Sequence, residues 1–124
     1  MAMKLEVKRG DIVLVDLSGN RGAEKGNADN GDPRPCIVIQ KDGGNKSRPV
    51  TIVVPLTDSE NGRGYREHVN IMAAELGEGG KNSIADCGHI ITVDGDERIK
   101  EKKGVVDNIL MKRIDAGIRS SLAL

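Results

Sequence analysis

Two apolar runs constrain this chain more than anything else in it: Arg34-Pro35-Cys36-Ile37-Val38-Ile39-Gln40 and Thr51-Ile52-Val53-Val54-Pro55-Leu56-Thr57. Each is an unbroken series of β-branched and aliphatic residues, too short for a helix and bounded by Pro, Gly or Asn. That is the pattern of a buried strand. Each run also carries a polar residue at one end, Arg34 and Thr57, so both side chains are set on rigid backbone. An arginine opening a core strand is ordinarily a solvated edge charge, and its head is expected to lie in water.

Around these runs the remaining elements fall into place. Residues 12–17 read as a strand and residues 18–33 as a polar Gly/Asn/Asp loop, longer than the common connection and therefore a candidate functional segment. A second polar loop covers residues 58–67. Residues 68–71 alternate like a short strand, and residues 72–78 form one or two helical turns stopped by Gly79-Gly80. The run over residues 83–93 is long for one strand, and Gly88 within it predicts a bulge or bend. Residues 94–97 read as a turn and residues 98–103 as a solvated helical turn. The last element is the clearest helix: Asp107 is its N-cap, and Leu110, Met111, Ile114, Ile118 and Leu122 recur at three- and four-residue spacing. Five or six strands followed by one terminal helix predict a mainly β domain, a small and partly open barrel.

Composition bounds the function. At 124 residues the chain forms one domain with a sizeable core, and with one Tyr and neither Phe nor Trp that core must be aliphatic. Nineteen basic residues balance nineteen acidic ones, which excludes a general coater of nucleic acid and requires any polyanion site to be a local patch. Cys36 and Cys87 lie in apolar runs, the pattern of reduced, packing thiols in the cytoplasm. No stretch approaches the roughly 20 apolar residues of a membrane helix, and the first residues lack the apolar region of a signal peptide. A metal site at Cys87-x-His89, with Cys36 or His68 added, is weak because only one short-spaced pair exists. A nucleophilic cysteine is weaker, since buried thiols are ordinarily inert.

The pattern Arg-Pro-x-Ile-Val-Ile-Gln, a short Gly/Asn loop, then Ile-Val-Val-Pro-Leu-Thr resembles the MazF/PemK family of toxin endoribonucleases. The resemblance extends through Lys8-Arg9-Gly10-Asp11-Ile12, Glu24, His68-Val69, Ile90-Ile91-Thr92-Val93-Asp94 and the final Ser120-Ser121-Leu122-Ala123-Leu124, covering nearly the whole chain. It implies an SH3-like barrel of the type shared by CcdB and PemK, a homodimer, and an antitoxin whose disordered acidic and apolar tail folds across it. It also implies sequence-specific cleavage of single-stranded RNA without cofactor or metal. In that reaction the ribose 2′-hydroxyl attacks its own phosphorus, leaving 2′,3′-cyclic phosphate and 5′-hydroxyl ends.

This chemistry needs a proton acceptor, a proton donor and a cation on the non-bridging oxygens. Arg34 suits the last role because its planar fork holds two phosphoryl oxygens, and Thr57 adds a hydroxyl. The family regards the residues matching these two as its catalytic pair. Glu24 matches a glutamate that the family carries in the first loop, although residues 27–30 look inserted between it and Arg34. His89 stands where the family has glutamine, Ile91 where it has arginine, and Gly88 where some members have a catalytic aspartate. His89 is thus an acid–base candidate as well as a packed strand histidine. Lys25, Asp58, Ser59, Arg63 and Arg66, in the two long loops, are the candidate RNA-binding residues. The alternatives are a CcdB-like poison of DNA gyrase and an inactive member that only binds antitoxin.

Overall fold

The structure is a computed structural model that describes residues 2–77 and 79–124. Its seven strands are β1 (Asp11–Val15), β2 (Arg34–Val38), β3 (Val50–Asp58), β4 (His68–Ile71), β5 (Ser83–Asp86), β6 (Ile91–Asp94) and β7 (Ile99–Val105). Among the described residues three α-helical segments accompany them, α1 (Asp42–Ser47), the single turn α2 (Gly95–Arg98) and α3 (Asn108–Leu122), with 3₁₀ turns at Ser59–Asn61 and Ala73–Leu76. All pairings are antiparallel, and the sheet runs β4-β5-β3-β2-β1-β7 with β6 also on β3. Among the described residues β4, β6 and β7 each pair with one neighbour only, so the sheet is barrel-like without closing.

The apolar runs are central because both of their faces are covered. Successive residues point to opposite sides, and here the two sides are separate cores. Ile12, Ile37, Val54 and Leu56 belong to one core with Leu110, Met111 and Ile114 of α3, while Val13, Cys36, Val38 and Val53 belong to the other with Met3, Val7, Val93 and Ile99. Asp107 caps α3 by accepting from the Leu110 N–H at 2.8 Å. The apolar stripe ends at half-buried Ile118, however, and Leu122 is exposed because the helix has run past the sheet. Gly117 allows the closest approach, since a Cβ there would lie 3.0 Å from both Cys87 Sγ and Val69 Cγ2.

Two local expectations fail. Residues 98–103, expected as a solvated helical turn, are mostly β7: they pair with β1, and Lys102 reaches the buried Asp11 carboxylate at 3.1 Å. The Gly/Asn connection between the two runs contains α1. Gly43 and Gly44 argue against a helix, but the buried Asn45 side chain overrides them by bonding Gln40, the Gln40 carbonyl and Thr51. Over residues 72–78 a 3₁₀ turn, Ala73–Leu76, ends at Gly77; Glu78 lies outside the described residues.

The expected break at Gly88 shapes the site. β3 pairs Val53 with Ile91 and Leu56 with Ala85, so two residues of β3 (54 and 55) face five of the other chain segment (86–90). Three extra residues are therefore looped out, and this bulge carries Gly88 and His89. Bulges of this kind re-aim side chains beside functional sites.

Candidate active site

The β2–β3 ladder pairs Cys36 with Pro55, Ile37 with Val54 and Val38 with Val53. Carried two residues further, the same register sets Arg34 against Thr57, side by side on one face. Both line a groove of about 350 Å³ together with Ile12, Pro35, Leu56, Asp58, Lys81 and Lys103. Three cationic side chains against one carboxylate make it the local positive patch that a neutral chain requires. Lys81 and Lys103 carried no motif in the sequence. Residues 100–103 are four consecutive charged residues with no alternation, so only the pairing of β7 with β1 brings Lys103 to the groove.

Arg34 is not the solvated edge charge expected. Its Nε donates to the Gly26 carbonyl at 2.5 Å, its Nη2 to the Asn27 carbonyl at 3.0 Å and its Nη1 to the Leu56 carbonyl at 3.0 Å. The guanidinium thus clamps the long first loop to β3. A guanidinium has five N–H donors, so two remain for a ligand. The loop is tied down again by Asn27, which accepts from the Leu17 N–H at 2.7 Å and donates to Asp16 at 3.0 Å. The 27–30 segment, which looked like an insertion, therefore contains an anchor. The Ser18 N–H and the Asn27 amide hold the Asp16 carboxyl down at about 2. Thr57 Oγ1 accepts from the Asn61 side chain at 3.1 Å, and Asp58 caps the turn Ser59–Asn61 by accepting from the Glu60 N–H. Ser59, Arg63 and Arg66 are exposed on the second loop.

Glu24 and His89 do not share this groove. They line a second pocket of about 300 Å³ with Asn20, Lys25, Gly88, Ile90 and Ile91, none of which borders the first. The segment from Ala23 to Asn27 lies between the two, giving the Ala23 carbonyl to His89 Nε2 at 3.1 Å and the Gly26 and Asn27 carbonyls to Arg34. His89 Nδ1 meets Asp86 Oδ2 at 2.8 Å. Asp86, whose carboxylate is 8% exposed, also contacts His68 Nε2 at 3.4 Å and Lys25 Nζ at 3.9 Å. Sequence reading missed Asp86 because an isolated acidic residue in an apolar run has no motif, and its importance comes from the register that pairs it with His68.

The cysteine alternatives dissolve here. Cys87 is buried under α3 with its Sγ 3.7 Å from the Ile114 carbonyl, while His89 turns to the loop, so the two do not converge. Burial pushes the Cys36 thiol up to about 12. Burial first, then the charges of Asp86, Asp115 and Glu67, does the same to Cys87. Among the described residues no group of three His, Cys, Asp or Glu side chains is arranged to hold a metal ion.

The chain is thus a small antiparallel β-fold with a terminal helix and a basic groove lined by Arg34 and Thr57. Residues 8–122 match the family of PemK-like, MazF-like toxins of type II toxin–antitoxin systems, and the chain belongs to that family. It is 35% identical over 118 residues to endoribonuclease MazF of Staphylococcus epidermidis, covering 95% of this chain and 92% of that one. Its fold is similar to the crystal structure of MazF from Deinococcus radiodurans, with a TM-score of 0.77, 18% identity and coverage of 98% and 100% of the two chains. It is also similar to a mycobacterial endoribonuclease solved with its cognate antitoxin, with a TM-score of 0.74, 17% identity and coverage of 95% and 96%.

Proposed function

We propose that this toxin is an endoribonuclease that cuts single-stranded RNA at preferred sequences, without a metal ion, as a homodimer held in check by an antitoxin in the cytoplasm. The observation that carries the reading is the Arg34/Thr57 pair, set by strand register in a groove that also presents Lys81 and Lys103. The curated staphylococcal relative, named an endoribonuclease, supports the activity. The mycobacterial fold neighbour in complex with its antitoxin supports the partner.

The two unengaged N–H groups of Arg34 and the Thr57 hydroxyl face the scissile phosphate and stabilise the charge that grows on its non-bridging oxygens. The 2′-oxygen attacks phosphorus, the P–O5′ bond breaks, and the proton lost by the 2′-hydroxyl is balanced by one delivered to O5′. Glu24 and His89 are the groups proposed to accept and donate, which requires the 23–27 segment between their pocket and the Arg34 groove to shift when RNA binds. Loop residues Lys25, Asp58, Ser59, Arg63 and Arg66 contact the strand on either side, where unstacked bases offer edges for sequence reading.

The test is incubation of the purified protein with a long RNA in EDTA, followed by mapping of the cut ends. Cyclic phosphate and 5′-hydroxyl ends at a recurring sequence, reduced by Thr57→Val, are expected; intact RNA would overturn the reading. A mass measurement at micromolar concentration is expected to show two chains per particle.

A further inference from the structure

We propose that Lys103 and Lys81 form two phosphate-binding subsites on either side of Arg34, so that single-stranded RNA crosses the sheet from β5 to β7 with the scissile phosphate between them. The ligand is taken from the endoribonuclease reading; the placement of the two lysines is independent of it.

The sheet order β5-β3-β2-β1-β7 sets the geometry. Thr57 of β3 and Arg34 of β2 stand at its centre, Lys81 leads into β5 just ahead of Ser83, and Lys103 belongs to β7. All four line the groove of about 350 Å³. Neighbouring strands lie about 4.8 Å apart, so β5 and β7 each stand roughly 10 Å from β2. A cation is thus found two strands away on each side of the residue that meets the reacting phosphate. Between Arg34 and Lys103 the lining is aliphatic, Ile12 and Leu14 of β1, and offers a phosphate no partner until Lys103 is reached.

Lys103 is delivered to the groove by a β-bulge. The β1–β7 ladder steps from Ile12 opposite Gly104 to Val13 opposite Lys102, which leaves Lys103 without a residue opposite it. Bulges beside functional sites re-aim side chains in this way. The neighbouring Lys102 is already committed, its Nζ lying 3.1 Å from the buried Asp11 carboxylate. Among the described residues Lys103 pairs with Glu101 at 3.7 Å, with both side chains more than half exposed. A pair of that kind is held too weakly to keep the ammonium from a phosphate.

Lys81 extends from fixed backbone. Its carbonyl accepts from Ser83 Oγ at 2.7 Å, the Asn82 carbonyl accepts from the Ser59 N–H at 3.1 Å, and Asn82 Oδ1 accepts from the Ala73 N–H at 2.8 Å. Gly80 is packed so closely that a Cβ there would stand 2.7 Å from the Ala73 carbonyl oxygen. The main chain is placed, and the ammonium on its flexible stem follows the phosphate. Point charges suit this task, because lysine neutralises a phosphate without fixing its orientation. Contacts made equally to bound substrate and to transition state lower KM without raising kcat. Lys81 and Lys103 therefore set the affinity and path of the strand, while Arg34 and Thr57 meet the reacting phosphate.

Salt dependence reads such contacts directly, since each phosphate neutralised on a single strand contributes about 0.7 to the slope of log affinity against log salt. The probe is a short fluorescent single strand of mixed sequence with every 2′-hydroxyl methylated, which this reaction cannot cut. Its binding to the full chain is followed by anisotropy across a salt series. Lys103→Gln and Lys81→Gln are each expected to lower the slope by about 0.7, and the double variant by about 1.4; Lys103→Arg is expected to keep it. Lys112→Gln, exposed on α3 outside the groove, removes the same charge and is expected to leave the slope unchanged. With cleavable RNA the two lysine variants should raise KM several-fold and keep kcat near wild type. Wild-type slopes in both lysine variants, or an equal loss in Lys112→Gln, would overturn the proposal even if the protein cuts RNA. The expected slope losses in a protein that never cuts RNA would overturn the endoribonuclease reading and support the two subsites. A wild-type chain that does not bind the strand would overturn both.

Discussion

Arg34 Nη1 donates to the Leu56 carbonyl at 3.0 Å, one residue before Thr57, while its Nε and Nη2 hold the carbonyls of Gly26 and Asn27. The proposed phosphate ligand is thus also the clasp between the first loop and the central strand. Catalysis and loop order are coupled through one guanidinium.

Arg34→Lys is accordingly expected to act twice. Cleavage should fall about a hundred- to a thousandfold, the scale of losing one preorganised donor. Stability should fall by about 2–3 kcal/mol, because one ammonium cannot replace three charge-assisted bonds to separate carbonyls. Urea unfolding and amide exchange over residues 18–33 check the second effect. Thr57→Ala, whose hydroxyl accepts only the Asn61 amide, should reduce cleavage less and leave the unfolding midpoint nearly unchanged.

The Asp16 carboxyl is lowered from its ordinary 3.8 to about 2 in the folded chain. A depressed acid contributes stability that is present above its unfolded value and lost as pH falls through the folded one. The difference in unfolding midpoint between wild type and Asp16→Asn should therefore be constant above about pH 4 and vanish toward about pH 2. Asn27→Ala, which removes one of the bonds that lower Asp16, should narrow that window.

Gly117 meets Cys87 and Val69 at 3.0 Å from where a Cβ would stand. Gly117→Val should push α3 off the sheet and destabilise by about 1–3 kcal/mol, measured by thermal or urea unfolding. A neutral effect would mean that the helix slides without resistance.

Both thiols are buried and shifted up to about 12, Cys36 by burial and Cys87 by burial and nearby carboxylates. The native protein should therefore resist iodoacetamide at mildly alkaline pH and react only at the rate of unfolding. Mass spectrometry of samples quenched before and after urea addition reads this directly.

The sequence by itself determined the two central strands, the capped terminal helix and the break at Gly88, because each is written in local chemistry: unbroken β-branched runs, an Asp at an N-cap, a glycine inside a strand pattern. Family resemblance singled out Arg34 and Thr57, and both line one groove. What local pattern left open was set by contacts between distant segments. Residues 99–105 look like a solvated charged stretch until β1 pairs with them, and residues 42–47 look like a glycine loop until Asn45 is buried against Thr51. Only the tertiary structure decided that Arg34 is a clasp and not a free edge charge, since its acceptors come from the path of the loop before it and from β3, 22 residues away. It likewise separated Glu24 and His89 from the Arg34 groove and gathered Lys25, His68 and His89 around Asp86. A side chain's partners across a fold depend on strand register and loop path, and neither is encoded within the few residues that surround it.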